Sequence, residues 1–435
     1  MNRTIEKGKT LLVDGPASVK IIIGRTEVFG STLRSTNKTV IREGKRLPFV
    51  VKEKAEFEIS LGENAAVEEV EGDTIPPSWA EAYTEMITLE VKPITAMVLG
   101  PVDSGKSSFC TYLVNRLLNE KRRVAILDGD IGQSDIGPPC TVAYTLVTKP
   151  VTDLFNLRQQ DAFFVGTTSP YAVTDKVIEG LASLKKHIME RSPDVIIVNS
   201  DGWVEGDDAL AYKLQLVKNI SPEIVFCTQQ KEELAPISMA LHEYRKFIVE
   251  EPATIKQRNL EKRRNLRELG YIKYLRNAKV QSLPMNWVKI EGDELYGLNK
   301  LHEDARQSTR MYQLLGMKPL HFAEFRSRIS IIIGRTRWIS EEKLHKVEDS
   351  LNKKVVLIHK GEEEGLLTAV YGPQRKFLGI GVLQEIDFTR KTLKIYTPVS
   401  DEISIVNIGK VKLDKNMKET QGLPGENGTS FNRLF

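Results

Sequence analysis

A glycine-rich segment with one lysine and several hydroxyl side chains is the first candidate for chemistry on phosphate. It reads GPVDSGKSS from Gly100 and fits the pattern GxxxxGK[ST], between an apolar run at residues 96–99 and a helical pattern from residue 109. In such a loop backbone N–H groups point at β-phosphate oxygens, Lys106 bridges the β- and γ-phosphates, and Ser107 binds Mg²⁺. The predicted nucleotide-binding residues are Gly100, Pro101, Val102, Asp103, Ser104, Gly105, Lys106, Ser107 and Ser108.

Two carboxylates follow a second apolar run, residues 124–127. They are Asp128 and Asp130, with Gln133 soon after. A strand of this kind lies beside the strand of the phosphate loop in nucleotide-binding sheets. We expect Asp128 nearer the metal and Asp130 free to accept a proton from an attacking hydroxyl, with a turn-forming role for Asp130 as the alternative. Gln133 could orient a hydroxyl or a water, so these residues leave both kinase and hydrolase open.

Two further segments place polar and aromatic groups where strands end. NSDGW, at residues 199–203, follows the apolar run 195–198, and GTTSP, at residues 166–170, follows residues 162–165. Ligands bind at the carboxyl edge of such sheets, so Trp203 could stack on a base, but the segment by itself favours a tryptophan folded back onto core side chains. The hydroxyls of Thr167 and Thr168 are expected at the same edge, unless the segment only begins a helix.

A basic run covers residues 254–279. It holds nine Lys or Arg against Glu261 and Glu268. Charged runs are usually solvated helix faces with mixed signs, and this one is mostly of one sign. Arg258 with Arg263, or Arg263 with Arg267, could clamp phosphate oxygens with their guanidinium forks.

Taken in order, GPVDSGKSS, DGDIGQSDIGPP, GTTSP, NSDGW and the basic run resemble the polynucleotide 5′-hydroxyl kinase family. That family includes the cleavage-factor kinase of eukaryotic pre-mRNA 3′-end and tRNA processing, the pre-rRNA processing kinases and archaeal relatives. The resemblance covers residues 91–274, and the flanking regions match its three-part layout more weakly. It implies ATP and Mg²⁺ as cofactors and RNA 5′-hydroxyl ends as substrate, with DNA left open.

The resemblance also implies roles for individual residues. Lys106 and Ser107 hold ATP with Mg²⁺, and Asp130 is the general base on the 5′-hydroxyl, supported by Asp128 and Gln133. The remaining implied positions are Thr168 with Thr167 as a clasp for the terminal nucleotide, Trp203 stacking on its base, and a lid drawn from Arg258, Arg263 and Arg267. The dense cluster does not single out one arginine pair, and no adenine-contacting residue can be carried over.

The strand patterns predict an α/β fold flanked by β-rich regions. Wholly apolar strands separated by helices, over residues 85–250, indicate a parallel sheet with helices on both faces. Short alternating strands between turns predict β-domains on either side. We predict an N-terminal β-domain (1–75), a P-loop kinase domain (76–279) with its lid (254–279), and a C-terminal β-rich domain (280–435) ending in a loose tail at residues 422–428.

Composition excludes several other classes. The chain has 435 residues, 62 Lys and Arg against 58 Asp and Glu, and 41% hydrophobic residues, which argues against a polycation and against overall disorder. Three scattered cysteines and six histidines form no zinc-binding pattern. With neither a signal peptide nor an apolar run of membrane-spanning length, we expect a cytoplasmic protein without a membrane partner.

The sequence therefore predicts an ATP-dependent kinase for RNA 5′-hydroxyl ends that acts in RNA processing and has RNA-processing protein partners. An ATP-bound scaffold of an RNA-processing complex, without catalysis, is the alternative. A dimeric partitioning ATPase fits less well, because GPVDSGKS lacks the second lysine near its start.

Overall fold

The computed structural model of the chain describes residues 1–35, 38–293, 295–300 and 305–420. These residues divide into two units, Met1–Gly270 and Tyr271–Phe435. The tail predicted at residues 422–428 lies outside the described residues, and the division into three domains stays a prediction.

The first unit begins with a seven-stranded antiparallel sheet, formed where β-branched residues alternate between turns. Its path is β4-β3-β6-β2-β7, with β1 on β6 and β5 on β3. The strands are β1 (Asn2–Ile5), β2 (Lys9–Asp14), β3 (Ala17–Val28), β4 (Ser31–Arg34), β5 (Lys38–Ile41), β6 (Arg46–Leu61) and β7 (Val67–Glu71). This sheet confirms the β-rich region predicted before the phosphate loop.

The same unit continues into an α/β layer. Its strands are β8 (Ile94–Leu99), β9 (Val124–Asp128), β10 (Thr141–Val147), β11 (Asp161–Phe164), β12 (Val195–Asn199), β13 (Ile224–Gln229) and β14 (Lys246–Glu250). Its helices are α1 (Pro77–Ile87), α2 (Lys106–Asn119), α3 (Thr174–Met189), α4 (Asp207–Ile220) and α5 (Ala235–Ala240). Helix α6 (Leu260–Tyr274) begins in this unit and ends in the second. The helices lie on both faces, as predicted: Met97 and Leu99 pack in one cluster with residues of α3 and α4, whereas Phe226 packs on Phe109 of α2.

The sheet order is β11-β10-β9-β12-β8-β13-β14. Strands β9, β12, β8, β13 and β14 are parallel, and β10 and β11 add an antiparallel edge. The sheet is therefore mixed, where the sequence predicted a parallel one. The reason is that a loop without a helix joins β9 to β10, and parallel neighbours need a crossover of helical length. That loop carries Asp130 and Gln133.

The second unit is rich in strands, as predicted, and contains two helices that the sequence reasoning did not predict. Its six-stranded sheet has the order β15-β22-β21-β20-β23-β16, and its three-stranded sheet the order β17-β18-β19. The elements are β15 (Lys279–Pro284), β16 (Lys289–Glu291), α7 (Ala305–Leu315), β17 (His321–Glu324), β18 (Arg328–Ile333), α8 (Glu341–Leu351), β19 (Lys354–His359), β20 (Leu366–Tyr371), β21 (Phe377–Asp387), β22 (Thr392–Thr397) and β23 (Ile405–Lys412). Across the described ranges, no helix combines the length and the apolar character needed to span a membrane.

Candidate active site

The phosphate loop curls between the end of β8 and the start of α2. Gly105 precedes the helix with φ of 86°, a left-handed conformation that glycine adopts without strain. A Cβ on Gly100 would lie 2.0 Å from Oγ1 of Thr228, so no larger residue fits there. The hydroxyls of Ser104 and Thr228 are 2.9 Å apart and fix the loop to the end of β13. The loop is therefore shaped to bind an anion at a helix N-terminus.

Lys106 lies buried at the centre of this loop. Its Nζ donates a hydrogen bond to the carbonyl oxygen of Pro101 at 2.6 Å. Burial lowers the pKa of Lys106 to about 8, and the negative charge of Asp130 opposes part of that shift. Binding of a phosphate stabilises this buried cation, because the negative charge replaces the hydration that the cation lost on burial.

Asp130 and Gln133 lie in the loop after β9. Oδ1 of Asp130 accepts hydrogen bonds from the backbone N–H groups of Gly132 at 3.1 Å and Gln133 at 2.9 Å. Asp130 therefore does form a turn, and Oδ2 accepts no hydrogen bond from the part of the chain that the structure describes. Burial raises the pKa of Asp130, while Lys106 works in the opposite direction. The raised pKa suits a carboxylate that takes a proton with its second oxygen.

Asp128 is fully buried at the end of β9. Its Oδ2 accepts from the backbone N–H of Asp135 at 2.8 Å and of Ile136 at 3.3 Å, and its Oδ1 accepts from Nδ2 of Asn199 at 3.0 Å. Burial raises its pKa to about 7. Asp128 thus joins β9, β12 and the following loop, which positions Asp130 and Asp135, and the metal-binding role expected for Asp128 stays a prediction.

A third carboxylate, Asp135, lines the same cavity as Ser107, and the sequence reasoning missed it. It pairs with Arg42, which follows β5. Arg42 also pairs with Asp153 at 2.7 Å, and Lys45 lies 3.8 Å from Asp135. Burial disfavours ionisation of Asp135, yet the positive charges of Lys45 and Arg42 hold its pKa below the usual value. The only sign of this carboxylate in the sequence is the acidic residue that ends GQSD, in a segment without helical or strand periodicity.

Ser107 and Asp135 offer a hydroxyl and a carboxylate oxygen to one cavity, and these are donors of the type that Mg²⁺ prefers. Among the described residues there is no group of three or more His, Cys, Asp or Glu arranged around a metal site. A magnesium ion that enters with nucleotide needs only one or two protein ligands, because phosphate and water supply the others. The residues present therefore fit this ion.

The basic segment reaches the phosphate loop through two of the three candidate arginines. Nε of Arg258 lies 2.6 Å from Oδ1 of Asp103, and Nη2 of Arg263 lies 3.8 Å from Oδ2 of the same carboxylate. The carbonyl oxygen of Arg263 accepts a hydrogen bond from Nε2 of Gln133 at 3.0 Å. Arg267 lines the same cavity as the phosphate loop. The geometry thus brings the lid, the phosphate loop and the Asp130 loop together.

Trp203 is half-buried between two tyrosines. Its ring stacks on Tyr212 with centroids 5.7 Å apart and meets Tyr171 edge-on at 5.6 Å. Tyr171 is 68% exposed and was not singled out from the sequence. The tryptophan also packs against the core, so its position is fixed, while the Tyr171 ring that it meets is exposed. The backbone before it approaches the phosphate loop closely, since a Cβ on Gly202 would lie 2.8 Å from the backbone nitrogen of Val102.

Thr167 and Thr168 lie beside the Asp130 loop. A Cβ on Gly132 would lie 2.8 Å from the carbonyl oxygen of Thr168. Oγ1 of Thr167 accepts from the backbone N–H of Ser169 at 3.4 Å, and both threonines are half-buried. The two hydroxyl residues therefore neighbour the proposed base, on a separate loop.

One cavity joins most of these groups. The predicted site residues in its lining are Val102, Asp103, Ser104, Gly105, Lys106, Ser107, Ser108, Asp130, Gln133, Arg258 and Arg267. The first sheet and the segment before α6 add apolar side chains, among them Leu12, Pro48, Ile75, Pro252 and Ile255. The lining does not include the other predicted site residues, which are Gly100, Pro101, Asp128, Thr167, Thr168, Trp203 and Arg263.

Comparison with known proteins gives the same answer as the motifs. The family model described as "mRNA cleavage and polyadenylation factor CLP1 P-loop" matches residues 100–277. The polyribonucleotide 5′-hydroxyl-kinase of Methanocaldococcus jannaschii is 27% identical over 334 residues, which cover 75% of this chain and 89% of that protein. The one from Thermococcus kodakarensis is 28% identical, over 77% of this chain and 92% of that protein.

Among solved structures, the chain is similar to Clp1p from a wild-type Clp1p–Pcf11p complex, with a TM-score of 0.66 and 12% identity. The match covers 95% of this chain and 97% of the other, and it shows a shared fold. With its motifs in order and its mixed sheet between β-rich regions, the chain is similar over most of its length to archaeal polyribonucleotide 5′-hydroxyl-kinases, and its residues 100–277 match the CLP1 P-loop family model.

Proposed function

We propose that this chain transfers the γ-phosphate of ATP to the 5′-hydroxyl end of RNA. Relatives that match 75% and 77% of the chain carry the name polyribonucleotide 5′-hydroxyl-kinase. The observation that carries the proposal is that Lys106, Asp130 and Arg258 line one cavity. They supply the phosphate-binding cation, the proton acceptor and the arginine that phosphoryl transfer needs.

The phosphate loop receives the triphosphate. Lys106 leaves the carbonyl of Pro101 for the β- and γ-phosphate oxygens, and the N-terminus of α2 adds its positive field. Ser107 and Asp135 would hold Mg²⁺, which when bound neutralises charge on the phosphate oxygens. The apolar side chains of Leu12, Ile75 and Ile255 offer a surface for the nucleobase.

The acceptor end enters beside Asp130. Its 5′-oxygen attacks the γ-phosphorus, a new P–O bond forms, and the bond to the β,γ-bridging oxygen breaks to release ADP. The hydroxyl proton passes to Oδ2 of Asp130. Arg258 and Arg263 stabilise the negative charge on the transferring group, since guanidinium forks match phosphate oxygens. No covalent intermediate with the enzyme is required.

The terminal nucleotide is held by contacts that do not read sequence. Trp203 and the exposed ring of Tyr171 provide aromatic surface for the base, and Thr167 and Thr168 provide hydroxyls for the sugar–phosphate. Stacking is similar for all bases, so RNA ends of different sequence should be used comparably. Because a solved neighbour of this fold is Clp1p in complex with Pcf11p, we extend the proposal to RNA-processing protein partners.

The test is transfer of labelled γ-phosphate from ATP to a short 5′-hydroxyl RNA with Mg²⁺, beside a DNA of the same sequence. A Lys106→Ala variant serves as the inactive control. Labelled RNA that disappears in the control supports the kinase, and the RNA-to-DNA ratio sets the substrate class. ATP binding without any labelled product would contradict the kinase and favour a nucleotide-bound scaffold.

A further inference from the structure

The side chain of Asp103 is an unusual feature of the phosphate loop. The GxxxxGK[ST] pattern allows any residue at this position, because the loop binds phosphate through its backbone. Asp103 nevertheless has φ of 60°, and its side chain is only 1% exposed. A buried carboxylate is costly unless it is paired, so its partners are part of the site.

All of these partners belong to the lid. Oδ2 accepts from the backbone N–H of Arg258 at 2.8 Å, and Oδ1 accepts from Nε of the same residue at 2.6 Å. Nη2 of Arg258 also pairs with Oδ1, and Nη2 of Arg263 lies 3.8 Å from Oδ2. Nε of Arg263 donates to the carbonyl oxygen of Arg258 at 3.1 Å. One carboxylate therefore fixes both the backbone and the guanidinium of Arg258 and draws in Arg263.

The lid is also attached at a second place, on the first sheet. Nζ of Lys256 lies 2.5 Å from Oδ2 of Asp14 at the end of β2, and a Cβ on Gly105 of the phosphate loop would lie 3.3 Å from Cδ1 of Ile255. Residues 255–258 are thus held on both sides of the cavity. The guanidinium groups of Arg258 and Arg263 can change partners while the backbone bond from Arg258 to Asp103 stays in place.

We propose that Asp103 is a positioning residue for the lid. Its carboxylate holds Arg258 and Arg263 over the phosphate loop in the nucleotide-free protein and presents their guanidinium groups to the incoming γ-phosphate. An anionic phosphate competes directly for these forks, because carboxylate and phosphate offer them similar oxygen pairs. The assignment rests on the proposed kinase function and selects Arg258 with Arg263 as the acting pair.

The first test needs neither ATP nor RNA. Asp103→Asn keeps an acceptor for the Arg258 N–H and tolerates positive φ, but it removes the charge that pairs with the guanidinium groups. In limited trypsin digestion of the nucleotide-free protein, we expect cleavage within residues 256–264 to become about tenfold faster, as loss of one charge-assisted hydrogen bond predicts. Glu85→Gln is the matched control, since it removes a carboxylate from an arginine pair remote from the lid. If Asp103→Asn is cleaved at the same rate as the unsubstituted protein, the proposal is overturned.

The second test asks whether Asp103 acts through Arg258. Asp103→Asn should lower kcat with little change in KM for RNA, and in an Arg258→Ala background it should add almost nothing, because the two losses share one interaction. Independent, multiplying losses would contradict a positioning role. If Asp103→Asn fails to fold, Arg258→Gln breaks the same pair from the lid side and must release the lid to trypsin. An unvaried protein that transfers no phosphate would refute the kinase, while the digestion result would still decide the lid contact.

Discussion

Nζ of Lys213 lies 2.9 Å from Oδ1 of Asp201, and the side chain of Lys213 is completely buried. Lys213 is on α4, whereas Asp201 follows β12 immediately before Gly202 and Trp203. Asp201 also accepts from the hydroxyl of Tyr212 at 2.8 Å and from the backbone N–H of Trp203 at 3.0 Å. This pair therefore fixes the segment that packs on the phosphate loop and carries the aromatic residue.

Replacing the lysine alone should destabilise the first unit. Lys213→Met keeps much of the side-chain volume but leaves Asp201 buried without its cation, which typically costs about 3–5 kcal/mol. Denaturant unfolding followed by tryptophan fluorescence measures the loss. Lys346→Met is the control, because Lys346 pairs with Glu342 on an exposed helix face in the second unit, where a pair contributes roughly 0.5 kcal/mol at most. Equal midpoint shifts for the two variants would contradict the role of the buried pair.

Asp130→Asn should separate binding from transfer. The amide can still accept the backbone bonds of Gly132 and Gln133, so the turn is retained, but it cannot take the proton of the 5′-hydroxyl. We expect the transfer rate to fall roughly 10²–10⁴-fold with nucleotide binding largely kept. Single-turnover transfer and equilibrium binding of a fluorescent ATP analogue measure the two effects. Full activity in this variant would return Asp130 to a turn-forming role.

Nucleotide affinity should fall as the solution becomes alkaline. The pKa of Lys106 is lowered to about 8, so the side chain is charged below that pH and progressively neutral above it. Binding of a nucleotide analogue is measured in EDTA from about pH 7 to about pH 9.5, so that no divalent cation contributes. Affinity should be flat at the acidic end and decline through the pKa. Asp130→Asn removes a charge that supports the protonated lysine, and the decline should then begin at lower pH; a flat profile in both proteins would contradict this prediction.

The sequence predicted those parts of the site that follow from local patterns. Residues 96–99, 124–127 and 195–198 are apolar runs followed by polar residues, and the carboxyl ends of parallel strands meet at one sheet edge. This regularity predicts that Lys106 and Asp130 lie near each other. The choice between two arginine pairs stayed open in the sequence, because the spacing allows both, and it is the contact with Asp103 that favours Arg258 with Arg263.

The remaining features depend on contacts between distant segments. Arg42 reaches Asp135 from another sheet, and neither residue lies in a periodic pattern that would reveal the pairing. The antiparallel edge formed by β10 and β11 follows from the missing crossover helix, which apolar runs alone do not reveal. Helix α8 was missed because it is highly charged and only one of its residues, Val347, is fully buried.

Asp135→Asn should weaken the response of the protein to magnesium. The amide is neutral, so the ion loses a charged neighbour in the cavity that Ser107 also lines, while the nucleotide keeps its phosphate contacts. The measurement is nucleotide affinity as a function of Mg²⁺ concentration. We expect the half-saturating Mg²⁺ concentration to rise about tenfold, and affinity in EDTA to stay close to that of the unvaried protein. An unchanged magnesium response would remove Asp135 from the metal site and leave it as a partner of Arg42 alone.

Substitution of Trp203 tests whether its ring stacks on the terminal base of the substrate or belongs to the core. Removing a base-stacking aromatic costs about 1–3 kcal/mol per base, so Trp203→Ala should weaken RNA use roughly 5–150-fold in KM. Trp203→Phe, which keeps an aromatic ring against Tyr212, should retain most of that affinity. Tyr171→Ala probes the exposed side of the same pair without opening the core, because Tyr171 is 68% exposed. If Trp203→Ala lowers the unfolding midpoint while both alanine variants bind RNA normally, the tryptophan belongs to the core and the terminal base is held elsewhere.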